Sequence, residues 1–395
     1  MRIVLVSPFH GGSHRSWAAG YIGSSQNEVD VLAMPDRFWK WRMHGGAITL
    51  ARRFNHKYRI RDPQQRVSLP DVVLATDMVD LTTFLSLTRR STYKLPAILF
   101  MHENQITYPL PNSASEGPMR RQQGERDLHY GFINFASMIA ADLVLFNSVY
   151  HRTEFFAALP SFLKHFPEFN ELETVPFLLE KSEVMPIGLD VQGLNKAQHR
   201  NDPSDPPLIL WNQRWEYDKN PEQFFTALYQ IAREGIPFRL AVCGANFRQN
   251  PAEFDKARTE LAGQIIHWGY AVAGVYKKLL WEAAITISTA HHEFFGISIL
   301  EAIACNTYPI LPRRLSYPEL LPLSTHDQCL YLDHSGLIDI LRWSLTNDAA
   351  RNAASRELAA HVAQFDWRFI APRFDDRIAL LVEGLLTTKK QMNIT

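Results

Sequence analysis

The sequence predicts an α/β protein of two domains, each an open parallel sheet with helices on its faces, and three observations predict it. Short, β-branched apolar runs alternate with segments of 3.6-residue period along most of the chain, as buried parallel strands and their crossover helices do. At 395 residues the chain exceeds one ordinary core, since about 150 residues per domain is usual. Finally, His199-Arg200-Asn201-Asp202-Pro203-Ser204-Asp205-Pro206-Pro207 is polar, proline-rich and without apolar period, which is linker composition. Domains are therefore expected over 1–198 and 208–367, on either side of a 199–207 linker.

In the first half, strands are expected at Ile3 to Ser7, Val29 to Ala33, Asp71 to Thr76, Ala97 to Met101, Asp142 to Phe146 and Glu183 to Ile187. The turn after the first carries Gly11 and Gly12, which permit positive φ and close ligand approach, and Ser13 is placed to cap the next helix. The fourth strand ends in His102-Glu103-Asn104-Gln105. Polar groups at the carboxyl end of a parallel strand face the ligand crevice of such a sheet. Gln105 to Arg126, rich in proline, glycine and basic residues, reads as a loop over that crevice. A helical pattern runs from Asp127 to Ala141, and Asn147-Ser148 caps another helix.

In the second half, strands are expected at Leu208 to Trp211, Arg239 to Cys243, Ile265 to His267, Ala284 to Ser288 and Thr307 to Leu311. Pro221 suits a first helical turn, so Arg214 and Lys219 stand just before a helix start. There, two cations and free N–H groups can converge on a diphosphate. The alternative is a pair of surface ion pairs with Glu216 and Asp218. The stretch from His291 to Glu301 reads as a loop and a helix start carrying two carboxylates, Glu293 and Glu301. Between them Phe295, Gly296 and Ile297 bring backbone N–H groups to an anion.

Formal charge is balanced, with 41 basic and 41 acidic residues, so no global field demands nucleic acid or membrane. Locally the balance fails. Arg37, Trp39, Lys40, Trp41 and Arg42, followed by Arg52, Arg53, Lys57, Arg59, Arg61 and Arg66, form a basic stretch interleaved with indoles. Cations meet phosphate and flat rings stack on unpaired bases; the alternative is a solvated face. Cys243, Cys305 and Cys329 have neither paired nor metal-like spacing, and no Asp-x-Asp pair or familiar His/Cys ligand set stands in the chain, so no metal is expected. The N-terminal apolar run is too short for a secretory core and no run suffices to cross a bilayer, which points to the cytoplasm.

The spacing from Glu293 to Glu301 resembles that of retaining glycosyltransferases of the GT-B fold, and Arg214 with Lys219 resembles their donor-site loop. The resemblance implies two Rossmann-like domains facing across a cleft, with a C-terminal helix over 368–395 crossing back to the first. It implies that Glu293 meets the transferred sugar, Glu301 the nucleotide ribose, and Trp268-Gly269-Tyr270 the base. Arg214 and Lys219 would stabilise the departing diphosphate with help from Gly296 and Gly11-Gly12, and His102 would touch the sugar.

A narrower resemblance rests on several segments: Gly11-Gly12-Ser13-His14, Trp39 to Arg42, His102-Glu103-Asn104-Gln105 with Tyr108-Pro109, Gln123 to Tyr130, Phe146-Asn147-Ser148 and Tyr317-Pro318-Glu319. The chain resembles the tRNA-queuosine α-mannosyltransferase family. This implies a GDP-mannose donor, no cofactor beyond that nucleotide sugar, and a queuosine-bearing tRNA as acceptor. The acceptor side would include Ser13, His14, Arg37, Trp39, Lys40, Trp41, Arg42, Glu103, Asn104, Gln105, Arg126 and Asp127. Two alternatives stay open: a transferase acting on a lipid or glycan, and a non-catalytic tRNA-binding protein on the same scaffold.

Overall fold

The computed structural model describes residues 1–58, 69–108, 128–195, 205–244 and 251–392. Arg59, Arg61, Arg66, most of the expected loop up to Arg126, Asp127 and most of the expected linker lie outside these residues. The chain divides into two units, one of Met1–Gly188 with Trp367–Thr395, the other of Leu189–Asp366. The division falls before the 199–207 stretch.

The first unit holds six parallel strands, β1 (Arg2–Ser7), β2 (Glu28–Ala33), β3 (Val72–Thr76), β4 (Ala97–Met101), β5 (Leu143–Phe146) and β6 (Ser182–Val184), in the order β2-β1-β3-β4-β5-β6. β3, β4 and β5 are buried at every position, which is why they read as unbroken apolar runs rather than alternating ones. β6 has three residues where five were expected, and only Glu183 and Val184 are among those five. Helices Gly12–Ser24, Trp39–Lys57, Leu81–Thr92, Leu128–Ala140 and Val149–Leu163 cover the sheet. Ser148 caps the last of these by accepting from His151 N–H at 3.0 Å. Ser13 caps nothing: the helix starts one residue earlier, with Gly11 as its cap and no side chain on its free N–H groups.

The C-terminal helix Trp367–Met392 belongs to this first unit. Trp367 lies against two backbones where only hydrogen is tolerated, since a Cβ on Gly20 would come within 2.0 Å of its ring and one on Gly188 within 2.3 Å. Asp375 accepts from Tyr21 Oη (2.7 Å), Ser25 Oγ (2.7 Å) and Gln26 N–H (2.8 Å). Arg377 forks onto Glu183 at 2.7 and 2.8 Å, the bidentate geometry that fixes a guanidinium best. The crossing back expected of the C-terminal segment is thus observed.

The second unit holds β7 (Leu208–Asn212), β8 (Arg239–Cys243), β9 (Ile265–Gly269), β10 (Ala283–Ile287), β11 (Tyr308–Pro312) and β12 (Leu330–Tyr331), parallel in the order β12-β11-β10-β7-β8-β9. In both sheets the strand order reverses beside the first strand, between β1 and β3 and between β7 and β10. The carboxyl ends there are where open α/β sheets bind ligands.

Candidate active site

In the second unit Arg214, Lys219, Glu293, Gly296 and Glu301 follow β7 and β10, the two strands at that reversal point, whereas Trp268, Gly269 and Tyr270 stand at the end of β9, on the edge of the sheet. Lys219 follows β7 and is buried. Its ammonium donates to the His292 carbonyl at 2.7 Å and pairs with Asp218 at 3.1 Å and Glu293 at 3.4 Å. Burial alone lowers a lysine pKa, but Glu293 and Asp218 outweigh it and hold Lys219 above its ordinary value. Burial likewise pushes Glu293 up, and Lys219, His292 and Arg214 bring it below the usual carboxylate range. His292 is held neutral, its pKa lowered to about 4 by burial and then by Lys219. Lys219 is cationic and Glu293 anionic at neutral pH.

The loops after β7 and β10 are laced together by backbone as well as by charge. His291 N–H donates to the Asp218 carbonyl at 2.7 Å, and Thr289 Oγ1 donates to the carbonyls of Lys219 (2.9 Å) and Asn220 (2.8 Å). Asn220 caps the helix Pro221–Arg233 with Pro221 in its first turn. Arg214, its side chain 48% exposed, pairs with Glu216 at 3.2 Å. The ion-pair alternative for these cations is therefore realised in geometry. For Lys219 the pairs are buried, not surface ones.

Gly296 adopts φ +92°, a left-handed value that other residues avoid, and opens the helix Ile297–Ala304 with no side chain capping it. Phe295 is buried and Ile297 half-buried, so both contribute backbone more than surface. Phe295 N–H leans on Glu293 Oε1 at 3.5 Å. Glu301 accepts from Tyr276 Oη at 2.6 Å, and Asn212 Nδ2 reaches both Tyr276 Oη (3.3 Å) and the Ser298 carbonyl (2.6 Å). Burial raises the Glu301 pKa against the effect of Tyr276. Trp268 packs its ring among Trp215, Phe225 and Phe254. Gly269 takes φ +112°, and Tyr270 is 72% exposed. Arg314, Ser316 and Tyr317 are structural: Arg314 donates to the carbonyls of Thr289 and Ala290, Ser316 to that of Phe295, and Tyr317 Oη meets Ser288 Oγ.

In the first unit His102 leaves the end of β4 and His14 the first turn of the helix after β1. Their rings stack at 4.1 Å. Asp77, at the end of β3, accepts from His102 N–H at 2.9 Å and lies 3.6 Å from His102 Nδ1. Burial lowers His102 to about 3 and, with His102 adding to it, His14 to about 3, and raises Asp77 to about 6. Both imidazoles are neutral at pH 7. Asn147 Nδ2 donates to the His102 carbonyl at 2.9 Å, and Asn134 holds Gln105 N–H (2.8 Å) and the Asp77 carbonyl (3.0 Å). Asn104 is spent on its own turn, accepting from Ile106 and Thr107 N–H. Glu103 and Gln105 are half-buried. At the β1 end, Gly12 takes φ +48° and Gly11 has no room for a Cβ beside Asp36.

Of the basic, indole-bearing stretch, Trp39 to Arg42 form the start of the helix Trp39–Lys57, Arg37 precedes it, and Arg52, Arg53 and Lys57 lie in its second half. Arg37, Lys40 and Trp41 are exposed, Trp41 at 62%. Trp39 instead packs on Tyr130 (5.1 Å), with Lys40 Nζ 5.7 Å above both rings. Arg42 is partly engaged, donating to the Pro35 carbonyl. Arg126 and Asp127 lie outside the described residues.

Sequence reading missed Asp77, Tyr276 and Phe38, and had Asp218 only as the partner of a surface ion pair. Asp77 and Asp218 had a signal, since each follows a strand at the end facing the crevice. Phe38, 79% exposed in a left-handed backbone, immediately precedes the helix that carries Trp41. Tyr276 had none: it sits inside a helix, and only folding brings it to Glu301.

Residues 2–189 match the family described as tRNA-queuosine alpha-mannosyltransferase N-terminal, and residues 195–322 match Glycosyl transferases group 1. The tRNA-queuosine alpha-mannosyltransferase of Drosophila melanogaster is 29% identical over 328 residues, 81% of each chain. Among solved structures, a sucrose-phosphate synthase from Thermosynechococcus elongatus aligns with TM-score 0.69 at 15% identity, covering 97% of this chain and 100% of that one. HepE from Anabaena, solved with UDP and glucose, aligns with TM-score 0.63 at 12% identity, covering 97% and 100%. Two parallel six-stranded sheets, a returning C-terminal helix and these neighbours make the fold GT-B, and the chain is a glycosyltransferase of the hexosyl-transferring class. Within that class it is a GT-B enzyme similar to tRNA-queuosine α-mannosyltransferase. Among the described residues no helix is long and apolar enough to cross a membrane.

Proposed function

We propose that this chain moves mannose from GDP-mannose onto queuosine in a tRNA anticodon loop, with retention at the anomeric carbon. The observation that carries the donor half is Lys219, held cationic by two carboxylates beside an uncapped helix start at the reversal point of the second sheet. A leaving nucleoside diphosphate gains negative charge as the glycosidic bond breaks, and fixed cations and N–H dipoles at that point are the usual means of stabilising it. Glu293 accepts from sugar hydroxyls and Glu301 from the ribose, each carboxylate already oriented by a neighbour. In the step itself the bond from C1 to the diphosphate oxygen breaks and the bond from C1 to the acceptor oxygen forms. The acceptor proton passes to the departing phosphate on the same face.

The acceptor half rests on the likeness of residues 2–189 to the queuosine-modifying family and on the exposed face of Arg37, Phe38, Lys40 and Trp41. An anticodon loop presents phosphates and bases that can be splayed, which such a face suits. The reading places the enzyme in the cytoplasm, with queuosine tRNA and a nucleotide sugar as its partners. The test mixes the protein with GDP-mannose and queuosine-containing tRNA, digests the tRNA and weighs the nucleosides. A queuosine heavier by one hexose is expected. Transfer from UDP-glucose instead would overturn the donor, and transfer only to a lipid or glycan would overturn the acceptor.

A further inference from the structure

In the second unit one carboxylate is held by a chain of hydrogen bonds that runs back to β7 and β10. Tyr276, inside the helix Ala273–Glu282, meets Glu301, inside the helix Ile297–Ala304, at 2.6 Å from Oη to Oε2. Asn212, buried at the end of β7, donates from Nδ2 to Tyr276 Oη at 3.3 Å and to the Ser298 carbonyl at 2.6 Å. Its Oδ1 accepts from Thr286 Oγ1 of β10 at 3.4 Å. A carbonyl can only accept, so the Ser298 contact fixes which end of the Asn212 amide faces Tyr276. The phenol oxygen then accepts from Asn212 and has its single proton left for Glu301. Burial keeps that proton in place by raising the Tyr276 pKa well above its ordinary value.

We infer that Tyr276 is a positioning residue that makes the donor site select ribonucleotides over deoxyribonucleotides, acting through Glu301. The inference rests on the reading of Glu301 as the ribose contact and goes beyond it. Ordering a glutamate side chain costs rotamer entropy at the moment of binding unless the fold has ordered it beforehand. Tyr276 orders it beforehand: it takes Oε2, and Glu301 makes no other hydrogen bond among the described residues, so Oε1 is left to accept from a ribose hydroxyl. The bond also opposes the rise in pKa that burial imposes on Glu301, which keeps the carboxylate an acceptor. An acceptor locked in this way penalises a nucleotide that lacks the hydroxyl, because the desolvated oxygen is then left unpaired. Asn212 ties the same network to the first turn of the helix that opens at Gly296, so the ribose and diphosphate contacts share one frame. No spacing rule along the chain finds this chain of contacts, because its members meet only in the fold.

Calorimetry on the full chain compares GDP with 2′-deoxy-GDP and 3′-deoxy-GDP, and then UDP with its deoxy analogues, so that the result does not depend on the base. Wild type should bind at least one deoxy analogue about tenfold more weakly than its parent. Tyr276→Phe removes one oxygen and keeps the ring, and its Tm shows that it folds. It should lose about tenfold for the parent nucleotide and little for that analogue, so that discrimination falls to about twofold or less. In turnover the donor KM should rise about tenfold while kcat falls less than about threefold, because a ribose contact is as strong in the ground state as in the transition state. The same substitution in a Glu301→Ala background should change affinity by less than about twofold, since a residue acting through Glu301 then has nothing to act on. A residue that only packs would weaken every nucleotide alike in both backgrounds. Equal binding of parent and deoxy nucleotides by the wild type would overturn the ribose reading of Glu301 and the inference with it. Discrimination that survives undiminished in Tyr276→Phe, or a full loss in the Glu301→Ala background, would overturn the inference alone.

Discussion

Replacing Lys219 with Met removes the charge but keeps most of the stem. Asp218, 1% exposed at its side chain, and Glu293, 23% exposed, are left without their shared counter-ion, and the His292 carbonyl without its donor. Breaking a buried pair by deleting one partner costs about 3–5 kcal/mol. Glu293 reaches solvent and can take up a proton, which puts this case near the lower end, about 3 kcal/mol. For a unit of this size each 1 kcal/mol moves Tm by about 2–4 °C, so thermal unfolding at pH 7 should show a fall of about 6–12 °C.

The pH dependence carries the sign. Glu293 is held below its ordinary 4.5 in the folded chain, so its stabilisation is present above that value and is lost as pH falls through the folded pKa. Lys219 is held above 10.5, so its contribution is present below that value and lost as pH rises through the folded pKa. The gap in Tm between wild type and Lys219→Met should therefore be widest between these limits and narrow in acid below about pH 4.5. A fall of less than about 2 °C at pH 7, or a gap that ignores acid, would mean that the pair does not hold the two loops together.

Arg214→Ala should lower turnover more than about tenfold with little change in Tm, because the guanidinium is half exposed while its proposed partner gains charge only in the transition state; unchanged turnover removes it from the diphosphate. Glu301→Ala should weaken GDP binding by about tenfold in calorimetry through loss of a charged hydrogen bond, and equal affinity would count against a ribose contact. Changing Arg37, Lys40 and Arg42 together to Ala should weaken tRNA binding and flatten its salt dependence, by about 0.7 in logarithmic slope for each phosphate no longer neutralised. A slope identical to wild type would make the stretch a solvated face.

How far the sequence could be read follows from which forces act locally. β3, β4, β7 and β10 were legible because burial on both faces leaves continuous apolar runs, and the helix at Pro221 because a proline suited to a first helical turn is a local signal. Gly296 was legible as a helix start for the same reason, while its positive φ is a finding of the structure. Edges were not: β6 is two residues shorter than expected, and the helix after β1 begins at Gly12, so Ser13 had nothing to cap. The clusters were the least legible part. Lys219 was found as a cation before a helix, but its burial against Asp218 and Glu293 depends on β7 and β10 lying side by side although β8 and β9 separate them in the chain. The His14, Asp77 and His102 group depends in the same way on β1, β3 and β4.

The two reversal points share a geometry and differ in how charge is handled, and the difference bears on what each can bind. In the second unit both cations of the site already answer to a carboxylate: Lys219 to Asp218 and Glu293, Arg214 to Glu216. An incoming diphosphate must therefore compete with Glu216 for Arg214, whose partly exposed side chain can turn, whereas Lys219 is fixed by three partners and acts as a standing charge. In the first unit burial neutralises both imidazoles instead of pairing them, which leaves lone pairs rather than charges on offer. Lone pairs accept a hydroxyl proton, and paired cations bind phosphate. The same sheet topology thus delivers two chemistries, set by whether the residues leaving the central strands are Lys with Glu or His with Asp.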